Sequence, residues 1–362
     1  MTRSPVHAIG PIRRKLLAWS DRQNRKLPWR GTRDPYRIWV SEVMLQQTTF
    51  SAVAARYGAF LSRFPDIASL ARAREDSVLS AWSGLGYYRR ARNLRLAAKR
   101  ILQDHGGDMP RDPEELRRLP GFGQYTAAAV AALAFGSRRP AADANVTRVV
   151  SRLYGIEGIA GTRAHRESVL SATARLLASG DPGRMTAALM DLGQLVCSAR
   201  RPSCGVCPLA AECVALARGS PEKIPGRVEK PRPVRVFLAA ACARENGTVL
   251  LVRRKSTFLD GLWEFPCAEA GTRAAARHQL EARARRLRLR LDRRPIGAAR
   301  HTVVNRRIAI EVFLASPGPK SKIQNPKSSR WFTARQLERA AIPTLTRKIA
   351  RNALKHLSTS AK

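Results

Sequence analysis

No stretch of the 362-residue chain approaches about eighteen uninterrupted apolar residues, which excludes a transmembrane helix. The first eleven residues lack an apolar signal-peptide core, so the chain is expected in the cytoplasm, associated with the nucleoid. Cysteine is scarce, six in all, and in a cytosolic chain such cysteines are ligands more often than disulfides. Acidic residues are few as well. Against 66 Lys and Arg stand only 27 Asp and Glu, a net charge of +39. Such a surplus repels itself unless a polyanion neutralises it, and nucleic acid repays the contact by releasing condensed counterions. An Arg-rich proteome would produce the same surface by drift, so charge alone does not establish DNA binding. What is present is a globular composition, 44% hydrophobic, in a chain long enough for two domains.

Residues 12–217 read as helix after helix. Apolar positions recur at spacings of three and four, as in Ile38, Val40, Val43 and Met44, with Pro and Gly between the stretches. Alternating strand patterns are rare there, so this part is expected to be all-α. Residues 218–232 hold three prolines, two glycines and many charges, the composition of a linker. Strand-like runs follow at Val234–Ala241, Thr248–Val252 and Ile308–Leu314, with an Arg-rich helical stretch from Thr272 to Arg290. That order predicts a small α+β domain over residues 233–357. The polar segment Gly318–Ser329 is expected to be a mobile loop.

Cys197, Cys204, Cys207 and Cys213 fall at C-x6-C-x2-C-x5-C, four thiols able to enclose one metal centre. Zinc favours two close pairs and only Cys204 and Cys207 form one, so the compact, uneven spacing suits a cubane iron–sulfur cluster better. Cys242 and Cys267 lie far off and read as ordinary buried thiols. Leu119-Pro120-Gly121-Phe122-Gly123-Gln124-Tyr125 sits between helical stretches. Its glycines allow a tight turn that bares amides at a helix N-terminus, a phosphate site. Asp143 opens the next helical run as an N-cap residue. Glu42 lies in an apolar helix, between Ile38-Trp39-Val40 and Val43-Met44-Leu45. Burial there would raise its pKa, as a proton donor requires.

These segments together resemble the endonuclease III and MutY DNA glycosylases, over about residues 12–355 and most strongly over 27–213. The match to S-E-x-M-L-Q-Q-T, L-P-G-x-G, D-x-N-V-x-R-V and the cysteine loop is closest to the MutY type. The resemblance implies an all-α helix–hairpin–helix glycosylase domain with a [4Fe-4S] loop on the four cysteines, and an α+β Nudix-like C-terminal domain carrying L-L-x-x-R-R and G-L-W-E-F-P. It implies a monofunctional enzyme that excises adenine mispaired with 8-oxoguanine or guanine from double-stranded DNA, in base excision repair, as a monomer with no membrane association. Glu42 would be the general acid. Asp143 would stabilise or trap the sugar cation, in the manner of two-carboxylate glycoside hydrolysis, with Asn145 orienting it or the backbone nearby. Tyr125 would position Asp143 or water, and it stands where bifunctional relatives carry a Schiff-base lysine. DNA contacts would come from Arg30, Leu45, Gln47, Gly121, Gly123 and Tyr87, the last wedging beside the partner base in Gly84-Leu85-Gly86-Tyr87-Tyr88. A glycosylase with altered mismatch specificity and a non-catalytic iron–sulfur DNA-binding or redox-sensing protein remain open alternatives.

Two departures from the family pattern concern recognition. Many MutY proteins read Phe-Ser-His after Arg-His-Thr; here Val303-Val304-Asn305 follows Arg300-His301-Thr302. The family also commonly places Gln or Glu where this chain has Ala187, which offers a base edge no side-chain hydrogen bond. The Arg-rich helix holds only Glu281 in place of an R-E-x-x-E-E cluster, so pyrophosphatase chemistry on Mg²⁺ is not expected.

Overall fold

The computed structural model describes residues 9–358 apart from 24, 26, 229–230, 255–260, 304 and 319–327. Most of the loop expected at Gly318–Ser329, and Val304, lie outside the described residues. Two compact units emerge: Met1–Arg72 with Asn93–Glu229, and Ala73–Arg92 with Lys230–Lys362. The segment 73–92, read from the sequence as part of the helical domain, thus packs with the C-terminal residues.

The helices are α1 (Ile9–Gln23), α2 (Pro35–Leu45), α3 (Phe50–Arg63), α4 (Ile67–Arg72), α5 (Glu75–Ala81), α6 (Arg89–Asp104), α7 (Pro113–Arg117), α8 (Gln124–Phe135), α9 (Ala144–Tyr154), α10 (Arg163–Leu177), α11 (Pro182–Leu195) and α12 (Val214–Ala217). Local chemistry sets their starts. Asp34 caps α2 by accepting from the amides of Tyr36 and Arg37, and Pro35 occupies the first position, where a missing N–H costs nothing. Asp143 caps α9 and Gly155, in the left-handed region, ends it. In α8 every residue from Thr126 to Ala132 is buried, the mark of a helix surrounded on all sides. One core joins Ile12 and Leu16 of α1 to Val146 and Val150 of α9, Leu176 of α10 and Leu189 of α11.

Part of the expected linker belongs to this unit. Arg152 donates to the Ile224 carbonyl at 2.9 Å, and the Gly226 amide to the Gly158 carbonyl at 3.0 Å.

In the second unit the strands are β1 (Val234–Glu245), β2 (Thr248–Arg253), β3 (Trp263–Glu264), β4 (Cys267–Ala270), β5 (Leu289–Val303), β6 (Arg306–Pro317) and β7 (Ser329–Phe332). Helix α13 (Arg273–Arg286) precedes β5, and α14 (Ala334–Arg339) and α15 (Thr344–Ser358) close the chain. The path β3-β2-β1-β6-β5 has β1 and β6 parallel, with β4 beside β1 and β7 beside β2. Strand β1 reads as an unbroken apolar run because both its faces are covered. Val236, Leu238, Ala240 and Cys242 join Ile349 of α15, while Ala239, Ala241 and Ala243 join Ala276 and Leu280 of α13. Asn246 and Gly247, both at positive φ, make the two-residue turn from β1 to β2.

One correction concerns the stretch Thr272–Arg290. The helix ends at Arg286, Arg288 turns the backbone at φ +54, and Leu289 starts a fifteen-residue strand. That strand is the sheet's edge and mostly exposed, so its arginines show no apolar alternation to betray it.

Candidate active site

A cleft of about 1040 Å³ in the helical unit is lined by Arg30, Glu42, Leu45, Gln47, Tyr125, Asp143 and Asn145, together with Asp181, Arg184 and Ala187. Its size lies at the upper end of ligand pockets and admits a nucleotide. Gly121 and Gly123 sit in the hairpin outside this lining, and Tyr87 belongs to the second unit.

Glu42 enters the cleft from α2 and is 7% exposed. Its helix is held in place by Trp39, which stacks on Phe122 of the hairpin at 5.2 Å between ring centroids. That contact sets α2 against α8, and Tyr125 of α8 donates its hydroxyl to Glu42 Oε2 at 2.7 Å. Burial pushes the Glu42 carboxyl above the ordinary range. The Tyr125 hydrogen bond and the Arg30 charge oppose the rise, and the Asp143 charge adds to it. Tyr125, expected to position Asp143 or a water, donates its hydroxyl to Glu42, a partner that sequence reading did not assign to it, and lies close enough to Asp143 to feel its charge.

Asp143, half-buried, has both carboxylate oxygens engaged. One oxygen accepts from the Val146 amide at 2.7 Å and the other from Asn145 Nδ2 at 3.0 Å. Asn145 Oδ1 in turn accepts from Arg148 at 2.8 Å, and Arg148 also donates to the carbonyls of Cys197 at 2.7 Å and Gly193 at 2.6 Å. Burial raises the Asp143 pKa against these stabilising donors. Asn145, expected to orient Asp143 or the backbone nearby, lies in direct hydrogen-bond contact with the carboxylate.

Arg30 has a partner that sequence reading missed. It donates to Asp191 Oδ1 at 2.7 Å, and Arg25 reaches the same oxygen at 3.0 Å and Gln194 Oε1 at 2.6 Å. The available signal was Asp191 itself, an acid inside the apolar A-L-M-D-L-G helix that needs a cation to be buried. Arg33 and Asp181 pair at 2.9 Å on the rim, and Ala187 lines the wall without a polar atom.

The hairpin joins α7 to α8. Gly121 has φ +81, and a Cβ there would come within 2.7 Å of Asn93 Cβ, so glycine is required twice over. Gly123 and Gln124 are exposed at the start of α8, whose first amides have no side-chain cap. Those free donors and the helix dipole suit a phosphate.

Cys197, Cys204, Cys207 and Cys213 line one small cavity with Arg152, Val196, Pro202 and Leu216, and none is in a disulfide. The buried Arg152 guanidinium lies 3.3 Å from Cys197 Sγ. Burial raises the Cys204 and Cys213 thiols and takes Cys207 to about 11. Four soft donors around one apolar space, with an arginine to offset thiolate charge, fit a metal–sulfur group.

In the second unit β5 and β6 pair as a hairpin from Val303↔Arg306 back to Leu289↔Pro317, so His301, Thr302, Val303 and Asn305 occupy its tip. Three carboxylates of this unit are each met by arginine: Glu264 by Arg254 at 2.8 Å, Glu269 by Arg306 at 2.7 Å, Glu281 by Arg277 at 3.0 Å.

The helical unit thus combines a hairpin that bares amides at the start of α8 with one cleft holding a buried carboxyl, Glu42, and a half-buried one, Asp143. Residues 40–175 match the HhH-GPD superfamily of base excision DNA repair proteins, and residues 238–352 the NUDIX domain. The chain is 32% identical to the human adenine DNA glycosylase over 407 residues, covering 96% of this chain and 74% of that protein. It is 41% identical over 204 residues to the adenine DNA glycosylase of Mycolicibacterium smegmatis, 56% of this chain and 68% of the relative. A thermostable thymine-DNA glycosylase superposes with TM-score 0.52 at 28% identity, over 58% of this chain and 97% of that one. The chain belongs to the adenine DNA glycosylase family.

Proposed function

We propose that this protein is a monofunctional glycosylase that removes adenine mispaired with 8-oxoguanine or guanine in double-stranded DNA. The observation that carries the reading is the pair of environments in one cleft. A buried, hydroxyl-bonded Glu42 favours its proton, while Asp143 is oriented by the Val146 amide on one oxygen and by Asn145 on the other. Glu42 gives its proton to a ring nitrogen of the extruded adenine, turning a poor leaving group into a neutral one. As the C1′–N9 bond breaks, Asp143 faces the cation growing on the sugar, and water completes the hydrolysis. Tyr125 holds the Glu42 carboxyl so that its proton points into the cleft. Arg30, Leu45 and Gln47 contact the strand around the vacated position, Gly121 and Gly123 anchor a phosphate, and Tyr87 wedges at the partner base.

Cys197, Cys204, Cys207 and Cys213 would hold a [4Fe-4S] cluster, whose chemistry here is a covalent cross-link of the loop that closes the helical unit. The purified protein is expected to be brown, with about four irons and four acid-labile sulfides per chain, as the cubane stoichiometry requires. Stoichiometric zinc without sulfide, after anaerobic purification, would replace this assignment.

The functional test is single-turnover excision on A:8-oxoG, A:G, A:C, T:G and A:T duplexes. Adenine release from the first two, with the strand intact until alkali is added, is expected. Tyr125 has no amine for a Schiff base, so efficient borohydride trapping of a DNA adduct would contradict the monofunctional reading. Preference for 8-oxoguanine over guanine is expected to be weaker than in relatives bearing Phe-Ser-His. Val303 and Val304 supply no side-chain hydrogen bond to the N7 hydrogen or O8 of the lesion, and Asn305 alone remains. Each lost hydrogen bond costs about 0.5–1.5 kcal/mol, roughly two- to tenfold in preference. The double variant Val304→Ser, Asn305→His should recover it; no gain would mean that another element reads the lesion.

A further inference from the structure

The turn that carries Tyr87 is unusual in its backbone and in what holds it. Gly84, Gly86 and Tyr87 have φ of +99, +69 and +45, and a tyrosine rarely adopts such a conformation. Yet Tyr87 is 43% exposed, so packing of its own ring does not impose the strain. Arg90 donates to the carbonyls of Leu85 at 2.9 Å and Gly86 at 3.2 Å, with its guanidinium 5.5 Å from the Tyr87 ring centroid. Trp82 Nε1 also donates to the Gly86 carbonyl, at 3.0 Å.

The two residues that bracket the turn converge on a single acceptor. Ser83 Oγ and Tyr88 OH both donate to the Ile342 carbonyl, at 3.3 Å and 2.9 Å. Arg347, from the first turn of α15, donates to Ser83 Oγ through Nε at 3.2 Å and Nη2 at 2.9 Å, which leaves the serine proton for the carbonyl. Ser83, Tyr88 and Ile342 are 2%, 3% and 1% exposed. Hydrogen bonds this dry are costly to leave unmade. A second tie lies at the start of α5, where Arg253 meets both oxygens of Asp76 at 3.1 Å and 2.7 Å.

We infer that Ser83, Tyr88 and Arg347 are positioning residues that clamp the Tyr87 turn on the Ile342 carbonyl and hold the wedge ready for insertion. The proposed wedge and the β5–β6 tip thus belong to the same compact unit. Closing both ends of a six-residue segment on one oxygen restricts the turn far more than two separate anchors would. This inference rests on the reading of Tyr87 as the wedge.

A double-mutant cycle tests it on the full chain. Tyr88→Phe, Ser83→Ala, Tyr87→Ala and the two doubles with Tyr87→Ala are compared in single-turnover adenine excision from A:G. A 2-aminopurine beside the target adenine reports unstacking, and thermal melting is followed in parallel. Each clamp variant is expected to slow excision and unstacking about two- to tenfold, one hydrogen bond's worth, in the native background. In the Tyr87→Ala background it should add nothing, because the clamp acts through that side chain. Losses that multiply in the doubles, or that track the melting temperature alone, would overturn the clamp. Normal rates in Tyr88→Phe and Ser83→Ala with a defective Tyr87→Ala would overturn the clamp while keeping the wedge. A Tyr87→Ala protein with native rates would remove the wedge reading and the inference together. If Ser83→Ala fails to fold, Arg347→Gln takes its place, with Arg347→Lys expected to recover part of the rate.

Discussion

Glu42→Gln is expected to lower single-turnover adenine excision by at least ~10²-fold, the range general acids contribute, while affinity for the mismatched duplex stays near native. The amide has the shape of the carboxyl and keeps the Tyr125 hydroxyl as a partner, but it has no acidic proton to give. Stability provides a control of known sign. A carboxyl whose pKa is raised by folding favours the folded state while protonated, and that contribution is lost as pH rises through the folded value. Glu42→Gln should therefore melt no lower than the native protein at acid pH and higher above the Glu42 titration. A variant that excises at near-native rate would make Glu42 a structural residue. The native rate should follow a bell in pH. Its alkaline limb is the loss of the Glu42 proton, and its acid limb the protonation of Asp143, both moved upward by burial.

Asp143→Asn is expected to cost about 10²–10³-fold in the same assay, the effect of removing one preorganised electrostatic stabiliser. Asparagine is as good an N-cap as aspartate, so α9 should keep its start and the protein its melting temperature. On the proposed mechanism, what is lost is the negative charge facing the sugar. The side chain is held by Val146 and by Asn145, itself held by Arg148. Asn145→Ala should therefore give a smaller loss than Asp143→Asn, since it loosens the carboxylate without neutralising it. If Asp143→Asn and Asn145→Ala are equally mild, the cation is stabilised elsewhere.

Much of this was determined by the amino-acid sequence alone, wherever the chemistry is local. The spacing of Cys197, Cys204, Cys207 and Cys213 and the two glycines of the hairpin are short-range patterns with a mechanical meaning. Asp143 before its helix and Glu42 within an apolar one are read the same way, because their neighbours in sequence are also their neighbours in space. The tertiary structure decided the rest. Tyr125 meets Glu42 across 83 positions and Arg30 meets Asp191 across 161, pairings that no periodicity encodes. Strand β5 was hidden because an edge strand buries little and needs no apolar alternation. The Tyr87 turn looked like part of the helical domain because it follows α5 and enters α6. Its hydrogen bonds instead close on Ile342 and Arg347, more than 250 residues along the chain, and long-range bonds of that kind exist only once the C-terminal unit has folded.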